Sequence, residues 1–138
     1  MKNRFLSILA AIALTGIFAG CQTDHGAYLP ENATKNNYED SEQLVLMDAM
    51  VQHSVTSPGI QQTRLQDGRL EVAANLRNRE SRRIQVQAQC EFKDGQGFTI
   101  DSSPWNTVIL TENGQETVRF TSMNDRAQRY TVRVRQAH

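Results

Sequence analysis

The chain holds two cysteines, and their surroundings suit them to different chemistry. Cys21 follows Phe18-Ala19-Gly20 at the end of an apolar run and is followed at once by the polar Gln22-Thr23-Asp24. A thiol there sits on the boundary between hydrocarbon-like and aqueous sequence. Cys90 lies in Ile84-Gln85-Val86-Gln87-Ala88-Gln89-Cys90-Glu91-Phe92, where every second residue is apolar. Such alternation puts Cys90 on one strand face with Ile84, Val86, Ala88 and Phe92, and so in a core. A buried, inert thiol is expected. The competing reading is a redox or intermolecular cysteine, and no basic neighbour in sequence lowers its pKa to favour it.

Three other groupings have chemical potential. Asp94 and Asp101 lie near Trp105, and two carboxylates beside an indole suit a groove for a small ligand or glycan. In the competing reading both acids form turns, bonding their own backbone, and Trp105 plugs the core between two sheets. Arginines collect twice: Arg77, Arg79, Arg82 and Arg83, and then Arg119, Arg126, Arg129, Arg133 and Arg135, the latter against only Glu116 and Asp125. Guanidinium groups pair bidentately with carboxylates and phosphates, which suits an acidic partner. The alternative is a solvated strand face that blunts sheet edges. His25, His53 and His138 are scattered over the polar N-terminal segment, the first strand region and the C-terminus, and make no metal set. No Gly-x-Ser-x-Gly elbow, His-Glu-x-x-His, paired-cysteine site or phosphate-cradling loop is present. Neither catalysis nor a cofactor or metal is expected.

Lys2 and Arg4 open the chain, and Phe5 to Phe18 is apolar except for Ser7, Thr15 and Gly16. This is the pattern of a signal peptide, since a spanning helix needs roughly 20 apolar residues. Phe18-Ala19-Gly20-Cys21 resembles the lipobox of bacterial lipoproteins, with Phe18 where leucine is commonest. The resemblance implies a thioether from Cys21 to diacylglycerol, cleavage just before it, and acyl chains such as palmitate; an uncleaved anchor or ordinary secretion are the alternatives. It also makes Gln22 the sorting residue. Aspartate at that place usually holds a lipoprotein at the inner membrane, so Gln22 implies the outer membrane, periplasmic face. The membrane is then one partner, held by buried methylene groups at about 0.8 kcal/mol each. Nucleic acid is excluded by compartment, and Cys90 is left without a partner in the chain.

Removing residues 1–20 takes Lys2 and Arg4 with it, so 13 basic and 15 acidic residues leave a net charge of −2. The remaining 118 residues suit one domain. Residues 21–42 carry the lipidated cysteine and a polar stretch without period, expected as a flexible linker; Asn32-Ala33-Thr34 matches a glycosylation triplet that a bacterial lipoprotein leaves unused. Residues 43–138 change character. Leu44 to Val51 is a strand candidate, Ser57-Pro58-Gly59 a breaker, and Ile60 to Gln66 and Arg69 to Leu76 flank the hairpin pair Asp67-Gly68. The Cys90 strand follows and ends in Asp94-Gly95-Gln96-Gly97. Trp105 to Thr111 and Gln115 to Thr121 flank a second hairpin-type turn, Glu112-Asn113-Gly114. Arg129 to Arg135 closes the chain with Tyr130, Val132 and Val134 inward and Arg129, Thr131, Arg133 and Arg135 outward. About seven short strands with almost no helix predict an all-β, antiparallel, immunoglobulin-like sandwich.

"LEVAANLRNRESRRIQVQAQCEFKDGQG", a Trp segment, an Asn-Gly turn, "ETVRF" and a closing "YTVRVR" resemble the YcfL-like family of small bacterial envelope lipoproteins. Its pattern is a strand ending in Asn, a variable turn, then a strand ending in aromatic-x-Asp-x-x-Gly. Cys90 and Lys93 depart from it where relatives more often have aromatic residues. The family is uncharacterised, so the resemblance implies location and architecture and no reaction. The expected function is a non-enzymatic binding or adaptor domain that docks an envelope protein or the cell wall, with Arg129, Arg133 and Arg135 as binding residues. The alternative is a small-ligand or glycan-binding domain with a groove near Asp94, Asp101 and Trp105.

Overall fold

The computed structural model describes residues 42–137. The leader, Cys21, Gln22, the glycosylation triplet, His25 and His138 lie outside the described residues. The elements in order are β1 (Leu44–Leu46), α1 (Ala49–Ser54), β2 (Val55–Arg64), β3 (Leu70–Asn78), β4 (Ile84–Lys93), β5 (Thr99–Ser102), β6 (Asn106–Leu110), β7 (Gln115–Thr121) and β8 (Arg129–Gln136). One sheet runs β1-β8-β4, with β5 and β6 following each other along the far edge of β4, and the other runs β2-β3-β7. Every pairing is antiparallel except β1 with β8. The all-β sandwich expected from the alternation is the observed architecture, with eight strands and one parallel pair among the described residues.

Period-two alternation decides which residues meet between the sheets. Leu70, Val72, Ala74 and Leu76 of β3, Ile84 to Phe92 at every second position of β4, and Tyr130, Val132 and Val134 of β8 are buried in one cluster. Fully burying a Val, Leu or Phe side chain is worth about 1.5–3 kcal/mol, so this cluster sets the register of all three strands. A one-residue slip would turn each set to solvent.

Three local expectations are corrected. Leu44 to Val51 is not one strand: β1 stops at Leu46, Asp48 turns the chain, and α1 follows, placing His53 on a helix. The Asp48 carboxylate accepts the Gln136 backbone N–H at 2.7 Å instead of capping α1, which ties the turn to the end of β8. Ser57-Pro58-Gly59 does not break the chain. It lies inside β2, where the register shifts between Thr56 and Gly59; an edge strand accommodates proline at such a bulge because the missing N–H has no ladder partner to serve. The third correction concerns the Glu112-Asn113-Gly114 turn. It is present, with Asn113 at φ 51°, but β6 pairs with β4 and β7 with β3, so it carries the chain from one sheet to the other. By contrast, the Asp67-Gly68 hairpin forms as expected. Gly68 has φ 86°, and a Cβ there would sit 2.9 Å from the Asp125 Cβ.

The sandwich has two ends. The β2–β3, β4–β5 and β7–β8 connections and the start of β1 share one of them. The β3–β4 and β6–β7 connections and the start of β2 share the other. Among the described residues no helix is long and apolar enough to cross a membrane.

Candidate functional site

The outward face of the larger sheet is assembled by register. Gln87 lies opposite Arg135, Gln89 opposite Arg133, Glu91 opposite Thr131 and Lys93 opposite Arg129. On the other side of β4, Gln87 faces Thr107 and Gln85 faces Ile109. Arg129, Arg133 and Arg135 therefore do form one row, beside a ladder of glutamines.

The three arginines are not equivalent. Arg129 donates toward Glu42 at 3.5 Å between exposed side chains, a contact worth little in water. Arg133 makes a 2.6 Å charged hydrogen bond to Glu91. Among the described residues Arg135 pairs with no carboxylate: its Nε donates to Gln87 Oε1 at 2.9 Å, and its guanidinium carbon lies 4.0 Å from the centre of the Trp105 ring. The indole and the amide fix the plane of this cation, and a planar guanidinium still has its two terminal nitrogens to offer a carboxylate or phosphate. Lys93 Nζ donates to Thr131 Oγ1 at 2.8 Å, and that hydroxyl donates to the Glu42 carbonyl at 2.7 Å. Thr131 points outward yet is only 5% exposed because of this cover.

Trp105 is no core plug. It is half-buried on the outer face, and the reason is local. Pro104 has no N–H for the β4 ladder, and Ser103 substitutes: its Oγ accepts the Cys90 N–H at 2.9 Å, and its own N–H reaches the Cys90 carbonyl at 2.9 Å. The step between β5 and β6 sets Trp105 over Arg135. Asp94 and Asp101 do not join it. Asp94 Oδ1 accepts the N–H groups of Gln96 and Phe98 at 2.9 and 3.0 Å, closing the β4–β5 turn around Gly97 at φ 93°. Asp101 lies opposite the buried Phe92, on the inner side of the sheet, and accepts the Met123 N–H at 2.7 Å. Both acids act as loop formers, and the two carboxylates and the indole line no common groove. An open groove of about 270 Å³ lies elsewhere, lined by Glu42, Gln43, Gln62, Gln128, Arg129 and Tyr130.

Cys90 is fully buried, opposite Val132. Burial first, with Glu91 and Asp101 adding repulsion, pushes its thiol up to about 12. That is the inert thiol the alternation implied, since only the thiolate is nucleophilic.

The arginine-rich turn Arg77 to Arg83 conceals a polar knot that the sequence reading missed. Asn78 is buried; its Nδ2 donates to the carbonyls of Arg82 and Thr111 at 2.6 and 2.8 Å, and its Oδ1 accepts the Glu80 N–H at 2.9 Å. Glu80, also buried, accepts the Ser54 hydroxyl at 2.8 Å and has Arg82 Nε 3.9 Å away. This knot joins the β3–β4 turn, the end of α1 and the β6–β7 turn. The asparagine closing an alternating strand was its one visible signal, and Asn side chains favour such local backbone bonds.

A family model described as a protein of unknown function, DUF1425, matches residues 42–136. A crystal structure of a DUF1425 family member from Shewanella sp. pv-4 is similar at 22% identity with a TM-score of 0.56, covering 62% of this chain and 82% of that one. The crystal structure of Campylobacter jejuni cj0090 is similar at 15% identity with a TM-score of 0.52, covering 59% and 85%. At these identities the likeness is one of fold. No curated protein matches.

Proposed function

This chain belongs to the DUF1425 family of proteins of unknown function, and from that premise we propose that it is a YcfL-like envelope lipoprotein, a non-enzymatic binding or adaptor domain anchored at the periplasmic face of the outer membrane. Cys21 would carry the acyl chains and Gln22 would direct sorting. The sandwich would present the outer face of its larger sheet to an acidic envelope partner. The observation that carries the binding half is Arg135, oriented by Trp105 and Gln87 and unpaired with any acid among the described residues. The stacking itself is worth only about 0.5–1 kcal/mol to the fold, whereas a receptor for a carboxylate benefits further because the side chain's rotamer entropy is already lost. The anchor half rests on the charged start, the apolar run and Phe18-Ala19-Gly20-Cys21.

The anchor is tested by labelling cells with radioactive palmitate. Wild type should incorporate label, and Cys21→Ser should incorporate none and accumulate as the precursor, because a hydroxyl does not replace the thiol in thioether formation. Equal labelling of both would end the lipoprotein reading.

A further inference from the structure

We infer that the end of the sandwich at which the chain enters β1 is a lipid-docking surface, with Phe98 and Met123 as its apolar tips. These are the two most exposed large hydrophobic residues among those described, at 68% and 82%. Phe98 closes the β4–β5 turn and Met123 opens the β7–β8 loop, so both lie at the same end, on loops that are bonded together. Gln128 N–H donates to the Lys93 carbonyl at 2.8 Å, and Asp101 accepts the Met123 N–H at 2.7 Å. Those bonds, with Asp94 closing its turn through the Phe98 N–H, make the tips rigid without using either side chain.

The place where the chain arrives selects the occupant. Val132 N–H donates to the Gln43 carbonyl at 2.8 Å, at the start of β1 and on this same end. Twenty residues separate Cys21 from Glu42, a reach of at most about 70 Å when fully extended. On the lipid-anchor reading, on which this inference rests, the tether presents this end to the bilayer and keeps it at high effective concentration there. A modest apolar contact then suffices. An aromatic ring and a thioether on rigid loop tips fit the boundary between headgroups and acyl chains. Exposed cations at this end, Arg126 among them, would add a salt-screened attraction to anionic headgroups, whereas the part of the contact carried by Phe98 and Met123 is apolar and should survive high salt.

The test uses the mature full-length protein in phospholipid vesicles, with an environment-sensitive dye on Gln96→Cys, in the exposed turn beside Phe98. Cys90 is buried and does not compete for the dye, and an acylated Cys21 has no free thiol to take it. A nitroxide-bearing lipid should quench this dye, and Phe98→Ser with Met123→Ser should abolish the quenching. A dye on Glu112→Cys, at the opposite end, should remain unquenched. Mass spectrometry of the same sample reports acylation. Acylated protein whose Gln96 dye is no more quenched than the Glu112 dye overturns the docking surface and leaves the anchor intact. If mass spectrometry finds the chain unacylated, the anchor is overturned, and quenching of the Gln96 dye on Cys21→Ser protein, which has no second accessible thiol, then leaves the docking surface standing.

Discussion

At the scale of single residues, Cys90 couples stability to pH. Its thiol is held near 12 in the fold, against an ordinary value of 9.0. A raised folded pKa gives stability that is fully present below the unfolded value and lost as pH climbs from about 9 toward 12. Burial also raises Tyr130, in the same direction. The urea midpoint of wild type should therefore fall as pH rises into that window, and fall less steeply for Cys90→Ala. Cys90→Ser, which sets a hydroxyl on the buried face among Val132, Ala88 and Phe92, should cost about 1–3 kcal/mol at neutral pH. Equal alkaline slopes for wild type and Cys90→Ala would mean that the thiol is hydrated in the native state.

At the scale of elements, the two sheets are fastened at one end by side chains that add to the backbone bonds from Arg79 N–H to the Ser54 carbonyl and from Asn113 N–H to the Glu80 carbonyl. Asn78 links the β3–β4 turn to the end of β6, and Glu80 links it to α1 through Ser54. Asn78→Ala removes the amide that bonds the carbonyls of Arg82 and Thr111 and the Glu80 N–H, and should cost about 2 kcal/mol by urea unfolding. Asn78→Asp restores the acceptor but not the donors and should recover only part of that. An Asn78→Ala variant as stable as wild type would show that water takes over the knot.

At the scale of the molecule, the outer face of the larger sheet and the end bearing Phe98 and Met123 are separate surfaces, so their roles are separable by mutation. Reversing Arg133 to Glu would set a carboxylate against Glu91 and disturb the sheet, which makes Arg135→Gln the cleaner probe of partner binding. Hydrogen bonds to charged groups contribute about 1.5–3 kcal/mol, so Arg135→Gln should reduce crosslinking to an acidic envelope partner by about tenfold or more. The lost stacking on Trp105 should cost the fold only about 0.5–1 kcal/mol. High salt should mimic the binding loss, because exposed charges are screened beyond about 10 Å at 0.1 M. Partner recovery untouched by both treatments would return the arginine row to a solvated face.

The sequence by itself determined the strand faces of this protein. Alternation in β3, β4 and β8 is a local property of the chain, and burying one face of each leaves a single register, so the core position of Cys90 and the shared row of Arg129, Arg133 and Arg135 are legible in the sequence. The Asp67-Gly68 hairpin was legible for the same reason, since its turn chemistry lies within a few residues. Beyond that hairpin, only the tertiary structure decided which strands are neighbours. The Asn113-Gly114 turn has hairpin residues whether its strands pair together or join different sheets, and the choice is made by what β3 and β4 offer each strand. Tertiary structure also decided that Trp105 stacks on Arg135, because that contact joins residues from β8 and the β5–β6 step, and that Asp101 faces away from both. Nor could spacing reveal the Asn78–Glu80 knot, whose partners come from α1 and the β6–β7 turn: contacts between distant segments depend on how the sheets stack, and periodicity carries no information about that.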